Sequence, residues 1–152
     1  MPGLASSSVS QHTATVVLVD DQADLLLLMS KILTSHGFEI SGTAEDGRAG
    51  IDLVAATQPD IVVLDLAMPH LTGEEALPEL VREAPRTMVA ILSAHLDTER
   101  AQRLLLMGAF SAYAKGDVAQ LPDLLLDDLD VFRRVIAGEE AVPAWQHRYR
   151  QP

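Results

Sequence analysis

The chain has 152 residues, 48% of them hydrophobic, no cysteine, and a formal net charge of -11 from 22 acidic and 11 basic residues. That apolar content excludes global disorder, and the length suits one domain. The acidic balance excludes a basic footprint for nucleic acid or anionic lipid, the lack of cysteine excludes disulfides and thiolate metal sites, and no apolar run approaches the ~20 residues of a membrane span.

Residues 1–14 read as a flexible tail rich in serine (Ser6, Ser7, Ser8, Ser10). They lack the basic start and continuous apolar core of an export signal, which points to the cytoplasm. Val16 to Val19 is a wholly apolar run that stops at Asp20 and Asp21, as a strand covered on both faces would. Leu25, Leu28, Met29 and Ile32 mark a first helix, stopped by Gly37. Phe38 to Ser41 alternates like an edge strand. Asp46 and Gly47 form a turn or cap before a second helix with Ile51, Val54 and Ala55, closing near Pro59.

Ile61 to Leu64 is a second buried run, ending at Asp65. Met68, Pro69, Thr72 and Gly73 belong to a loop, and a third helix carries Leu77, Leu80, Val81 and Ala84. Pro78 falls inside that pattern and is predicted to delay or kink the helix. Met88 to Leu92 is a third apolar strand, ending at Ser93. Asp97 or Thr98 caps a fourth helix with Ala101, Leu104, Leu105 and Met107, stopped by Gly108. Phe110 to Ala114 alternates weakly and ends at Lys115. Pro122 suits the first turn of a last helix striped with Leu125, Leu129, Phe132 and Ile136.

Strand and helix thus alternate five times, which implies an α/β doubly wound parallel sheet with helices on both faces. The apolar strands belong at its centre and the alternating ones at its edges. The expected domain spans 15–137, with a tail over 138–152. In that tail Trp145 and Tyr149, flanked by Arg148 and Arg150, would share one face of a short helix; the alternative is a frayed end.

All carboxyl ends of a parallel sheet lie along one edge, where ligands bind. Asp20, Asp21, Asp65, Ser93 and Lys115 therefore converge on one shallow site. Three carboxylates repel one another without a cation, and oxygen ligands with open positions suit Mg²⁺. The charges of three aspartates, Mg²⁺ and Lys115 cancel. An aspartate can attack phosphorus, while a lysine and a metal stabilise charge on the transferring oxygens. Each residue also has a plainer reading. Asp20 and Asp21 would serve as a helix cap, Asp65 as loop polarity, Ser93 as a common strand-end residue, and Lys115 as a solvated side chain. Agreement among four strand ends outweighs these, and only two lysines exist, Lys31 and Lys115.

Five stretches and two single positions carry a resemblance: Val17 to Asp21, Ala44 to Gly47, Pro59 to Pro69, Ser93 with Ala94, Gly108 with Ala109, and Gly73 and Lys115. In them the chain resembles the receiver domain of bacterial two-component response regulators, from about residue 15 to about 136. The resemblance implies a flavodoxin-like fold with a five-stranded parallel sheet of strand order 2-1-3-4-5. It implies a phosphoacceptor switch rather than an enzyme. Asp65 would accept a phosphoryl group, Asp21, Asp65 and the Ala67 carbonyl would ligate Mg²⁺, and Asp20 would act through water. Lys115 would pair with Asp65 or the phosphate, and Ser93 would move to bond the phosphoryl oxygen, with Ala94 leaving room. The implied partners are a sensor histidine kinase or phosphotransfer protein, a downstream protein target and, as an option, a second copy of the chain. No nucleic acid is expected to bind this chain alone, and no membrane.

The chain departs from the family where receivers carry an aromatic switch, three residues before the lysine; here that residue is Ala112. Tyr113 follows it, so strand alternation points it to the opposite face, in a structural role unless a bulge re-aims it. Gly116 replaces the frequent proline after the lysine, and Ala67 and His95 occupy positions that tune phosphoryl lifetime in the family. Two alternatives to a single-domain regulator stay open. Arg133 to Glu140 resembles the end of a receiver cut from a DNA-binding regulator, although the residues after Gly138 are too few for that domain. The missing aromatic also fits a degenerate module that is never phosphorylated. A phosphohydrolase is remote, because Ala67 stands where its second acid belongs.

Overall fold

A computed structural model describes residues 13–141. Each apolar run becomes a strand and each periodic stretch a helix. The order is β1 (Thr15–Val19), α1 (Ala23–Ser35), β2 (Glu39–Ala44), α2 (Gly47–Thr57), β3 (Ile61–Leu64), α3 (Gly73–Glu83), β4 (Met88–Ser93), α4 (Thr98–Leu106) and β5 (Ser111–Ala114). A 3₁₀ turn over Lys115–Gln120 leads into α5 (Leu121–Ile136).

All strand pairs are parallel, in the order β2-β1-β3-β4-β5. This is a flavodoxin-like fold, with the wholly apolar strands at the centre and the alternating ones at the edges. Alternation along the strands divides the core into two layers. Val17, Val19, Val62, Leu64 and Ile91 pack with α2, α3 and α4. Val16, Leu18, Ile61, Val63 and Leu92 pack with α1 and α5.

Three details differ from the sequence reading. The second strand begins at Glu39, one residue after the buried Phe38, and runs on to Ala44. Its register with β1 slips between Val16 and Val17, passing over Ser41, so simple alternation stops there. Thr72 and Gly73 are not loop residues beyond reach of the helix: Thr72 caps α3 in a reciprocal capping box with Glu75, and Gly73 is its first residue. Pro78 therefore does not delay α3, which starts five residues earlier. The reciprocal cap secures the first turn, and Pro78 removes only one later donor.

The other caps follow expectation. Asp46 accepts the Ala49 N–H at 2.8 Å, and Asp97 accepts the Arg100 N–H at 2.7 Å. Pro122 sits in the first turn of α5. Among the described residues no helix is long and apolar enough to cross a membrane. The serine-rich stretch and the Trp145–Tyr149 pair lie outside the described residues.

Candidate functional site

The site forms where β1, β3, β4 and β5 end side by side. β1 delivers Asp20 and Asp21, β3 delivers Asp65, β4 ends on Ser93, and Lys115 follows β5 directly. Asp20 and Asp65 are buried, at 1% and 3% exposure, whereas Asp21 faces solvent. Carboxylate oxygens of all three lie within 4.8 Å of one another. Asp20 and Asp21 are thus not the cap of α1. That position belongs to Gln22, whose N–H donates to Asp20 Oδ1 at 2.9 Å.

Lys115 is the cation of the cluster. Its Nζ lies 3.1 Å from Asp20 Oδ2 and 3.4 Å from Asp65 Oδ1, and donates to Gln22 Oε1 at 3.2 Å. The expected pairing with Asp65 is present, and the closer partner is Asp20. Gln22 was invisible to sequence reasoning, because a glutamine after an acidic pair carries no signal of its own.

The electrostatics follow from burial. Asp65 is held above the ordinary carboxylate range, first by burial and then by the charge of Asp20. Lys115 and the Ala67 backbone N–H, which donates to the Asp65 carboxylate, oppose that shift without cancelling it. Burial depresses Lys115, but its bonds to Asp20 and the charges of Asp20 and Asp65 outweigh this and hold it above the usual lysine range. The ammonium therefore stays charged, and the three carboxylates exceed it by two formal negative charges.

Backbone fixes the acceptor loop. The Asp65 N–H donates to Val19 O at 2.9 Å, continuing the β1–β3 ladder past the strand end. The Gly73 N–H donates to Leu66 O at 3.0 Å, and a Cβ at Gly73 would stand 2.0 Å from Asp65 O. Only a glycine lets the start of α3 rest on the Asp65 backbone. Ala67 is exposed, next along the loop.

The Ser93 hydroxyl is buried and turned to its own chain. It accepts from His95 N at 3.3 Å and donates to His95 O at 3.4 Å. Ala112 and Tyr113 point to opposite faces of β5, as alternation requires. Ala112 lies in the layer of α2–α4, and Tyr113 in that of α1 and α5. The Tyr113 hydroxyl bonds the buried Asp128 carboxyl and, at 3.3 Å, Leu124 O.

This arrangement can hold a hard divalent cation on oxygen ligands and present one buried carboxylate to an electrophile. Comparison with known proteins fits that chemistry. Residues 16–129 match the response regulator receiver domain family. The chain is 31% identical over 100 residues to the chemotaxis protein CheY of Thermotoga maritima, covering 66% of this chain and 79% of that protein. It is 39% identical over 134 residues to a protein-glutamate methylesterase/protein-glutamine glutaminase of Desulfitobacterium hafniense, covering 82% of this chain but 34% of that protein. The chain thus spans about a third of the length of this curated relative. Among solved structures, the signal receiver domain of a NarL regulator from Mycobacterium tuberculosis superposes with a TM-score of 0.72 at 27% identity, covering 79% of this chain and 98% of that one.

Proposed function

The chain belongs to the response regulator receiver family, and on that premise we propose that Asp65 accepts a phosphoryl group from the phosphohistidine of a sensor kinase or phosphotransfer protein. The observation that carries this reading is the charge imbalance of a cluster in which two of the three carboxylates are buried. Asp20, Asp21 and Asp65 lie within 4.8 Å of one another against a single ammonium. A divalent cation balances that set, and the all-oxygen donors suit Mg²⁺. Asp21, Asp65 and the Ala67 carbonyl would hold the ion, with Asp20 supporting it through water. Bound there, Mg²⁺ supplies a positive point for the oxygens of the incoming phosphoryl group.

The chain's own groups do the rest. An Asp65 carboxylate oxygen attacks phosphorus in line, the new P–O bond forms, and the P–N bond to the donor imidazole breaks. The Lys115 ammonium, already 3.4 Å from Asp65, moves onto a phosphoryl oxygen. Ser93 turns from His95 to donate to another. The gain of negative charge biases a two-state element read out on α4 and β5, and a protein target in the cytoplasm reads the result. On this reading the chain is a single-domain regulator whose output is protein contact. A degenerate module is the second reading, favoured by Ala112 and by Tyr113 being tied on the far face.

Intact-mass measurement with Mg²⁺ and a small-molecule phosphodonor separates the two. A single phosphoryl adduct is expected on the wild type, and none on Asp65→Asn or in EDTA. No adduct on a wild type that binds Mg²⁺ would leave the degenerate module.

A further inference from the structure

Arg100 links the first turn of α3 to the loop that follows β4. Its Nε donates to Glu74 Oε1 at 2.9 Å, and its Nη1 donates to His95 O at 3.0 Å. Glu74 follows Gly73, the residue seated on the Asp65 backbone. His95 O in turn accepts from the Ser93 hydroxyl. A continuous chain of contacts therefore runs from the Asp65 loop through α3 and α4 to the hydroxyl of β4. The Arg100 end is itself fixed, because its backbone N–H is capped by Asp97.

We propose that Arg100 and Glu74 are positioning residues: together they hold the Ser93–His95 turn in the arrangement seen here, with the Ser93 hydroxyl on its own backbone and away from the phosphoryl oxygen. This rests on the reading of Asp65 as acceptor. A partly exposed ion pair contributes little to stability, and the Glu74 and Arg100 side chains are 29% and 31% exposed. Its consequence lies in geometry. The planar guanidinium grips a carboxylate and a carbonyl at once, which an ammonium on a flexible stem does not reproduce. Arg103, 3.3 Å from the same Glu74 oxygen, adds a second hold on the carboxylate but no bond to the turn. The device also suits this chain in particular. By alternation β5 offers only the small side chains of Ala112 and Ala114, the latter the register partner of Ser93, to the face that Ser93 shares, which leaves the steadying of the turn to contacts outside the sheet.

A contact made only in the resting arrangement opposes whatever favours the other. The test uses beryllofluoride with Mg²⁺ as a phosphoryl mimic, titrated calorimetrically into the full chain. Arg100→Ala and Glu74→Ala are each expected to tighten its binding about five-fold, with the double variant no tighter than either. Arg100→Lys is expected to behave like Arg100→Ala. In the metal-free protein, amide exchange at His95 is expected to quicken by a similar factor in the same variants. Wild-type affinity and exchange in Arg100→Ala would overturn the proposal, as would full restoration by Arg100→Lys. If Arg100→Ala does not fold, Glu74→Ala decides by the same two readouts. If the wild type does not bind beryllofluoride, the acceptor reading fails, and the His95 exchange rate alone decides whether the pair holds the turn.

Discussion

At Gly73 the α3 backbone rests against Asp65 O so closely that an added Cβ would stand 2.0 Å away. Both sides of that contact are main chain, so no side chain can swing aside. Gly73→Ala is expected to destabilise the fold by about 3 kcal/mol in urea denaturation, and to weaken Mg²⁺ binding because the loop holding Asp65 must shift. Asp65 itself carries the opposite sign. Its folded pKa lies above the unfolded value, so its ionised form is disfavoured by folding. The contribution it makes when protonated is present below the unfolded pKa and is lost as pH rises through the folded one. Metal-free Asp65→Asn should therefore melt above the wild type at neutral pH. That difference should shrink as pH falls through the folded Asp65 pKa. A melting series between pH 3 and 8, in EDTA, reads it; a gap that widens toward acid would contradict the sign. These roles differed in legibility. Asp65 and Lys115 stood out because strand ends announce themselves by an apolar run stopping at a charge. Gln22 and Arg100 did not, since their roles depend on where distant backbone passes.

Along β5, period two alone placed Tyr113 opposite Ala112. The structure adds what the period cannot give, namely the partner on α5. Tyr113 is 1% exposed, and its hydroxyl reaches the buried Asp128 carboxyl across the β5–α5 layer. Removing that hydroxyl leaves the carboxyl without one of its bonds in an apolar setting. Tyr113→Phe is expected to cost about 1–3 kcal/mol of stability while leaving phosphoryl acceptance at Asp65 unchanged. A variant that folded with wild-type stability but lost its response would make Tyr113 a signalling residue instead. Elements were legible wherever one local signal dominated, as in the three central strands. They were less so where two signals competed. At Pro78 a breaker opposed a strong cap, and the cap set the start of α3. Beyond Phe38 alternation opposed a bulge, and the strand continued past the point where the pattern broke.

Over the whole molecule the net charge of -11 makes any added salt stabilising to some degree, because it screens self-repulsion. A Mg²⁺ effect on stability therefore has two sources that must be told apart. Screening depends on ionic strength and on charges spread over the surface. Site binding depends on Asp20, Asp21 and Asp65 being brought within 4.8 Å by folding, a proximity the unfolded chain lacks. A ligand that binds only the folded state at a hundred times its Kd contributes about 2.7 kcal/mol. For a chain of this length that raises the melting temperature by about 5–10 °C. Sodium chloride at matched ionic strength should give a much smaller rise. Asp21→Ala should keep the response to sodium chloride and lose most of the response to Mg²⁺. That carboxylate is exposed, so its removal leaves the core as it was. Equal shifts with the two salts, or an unchanged Mg²⁺ shift in Asp21→Ala, would assign the effect to the acidic surface and remove the cation from the site.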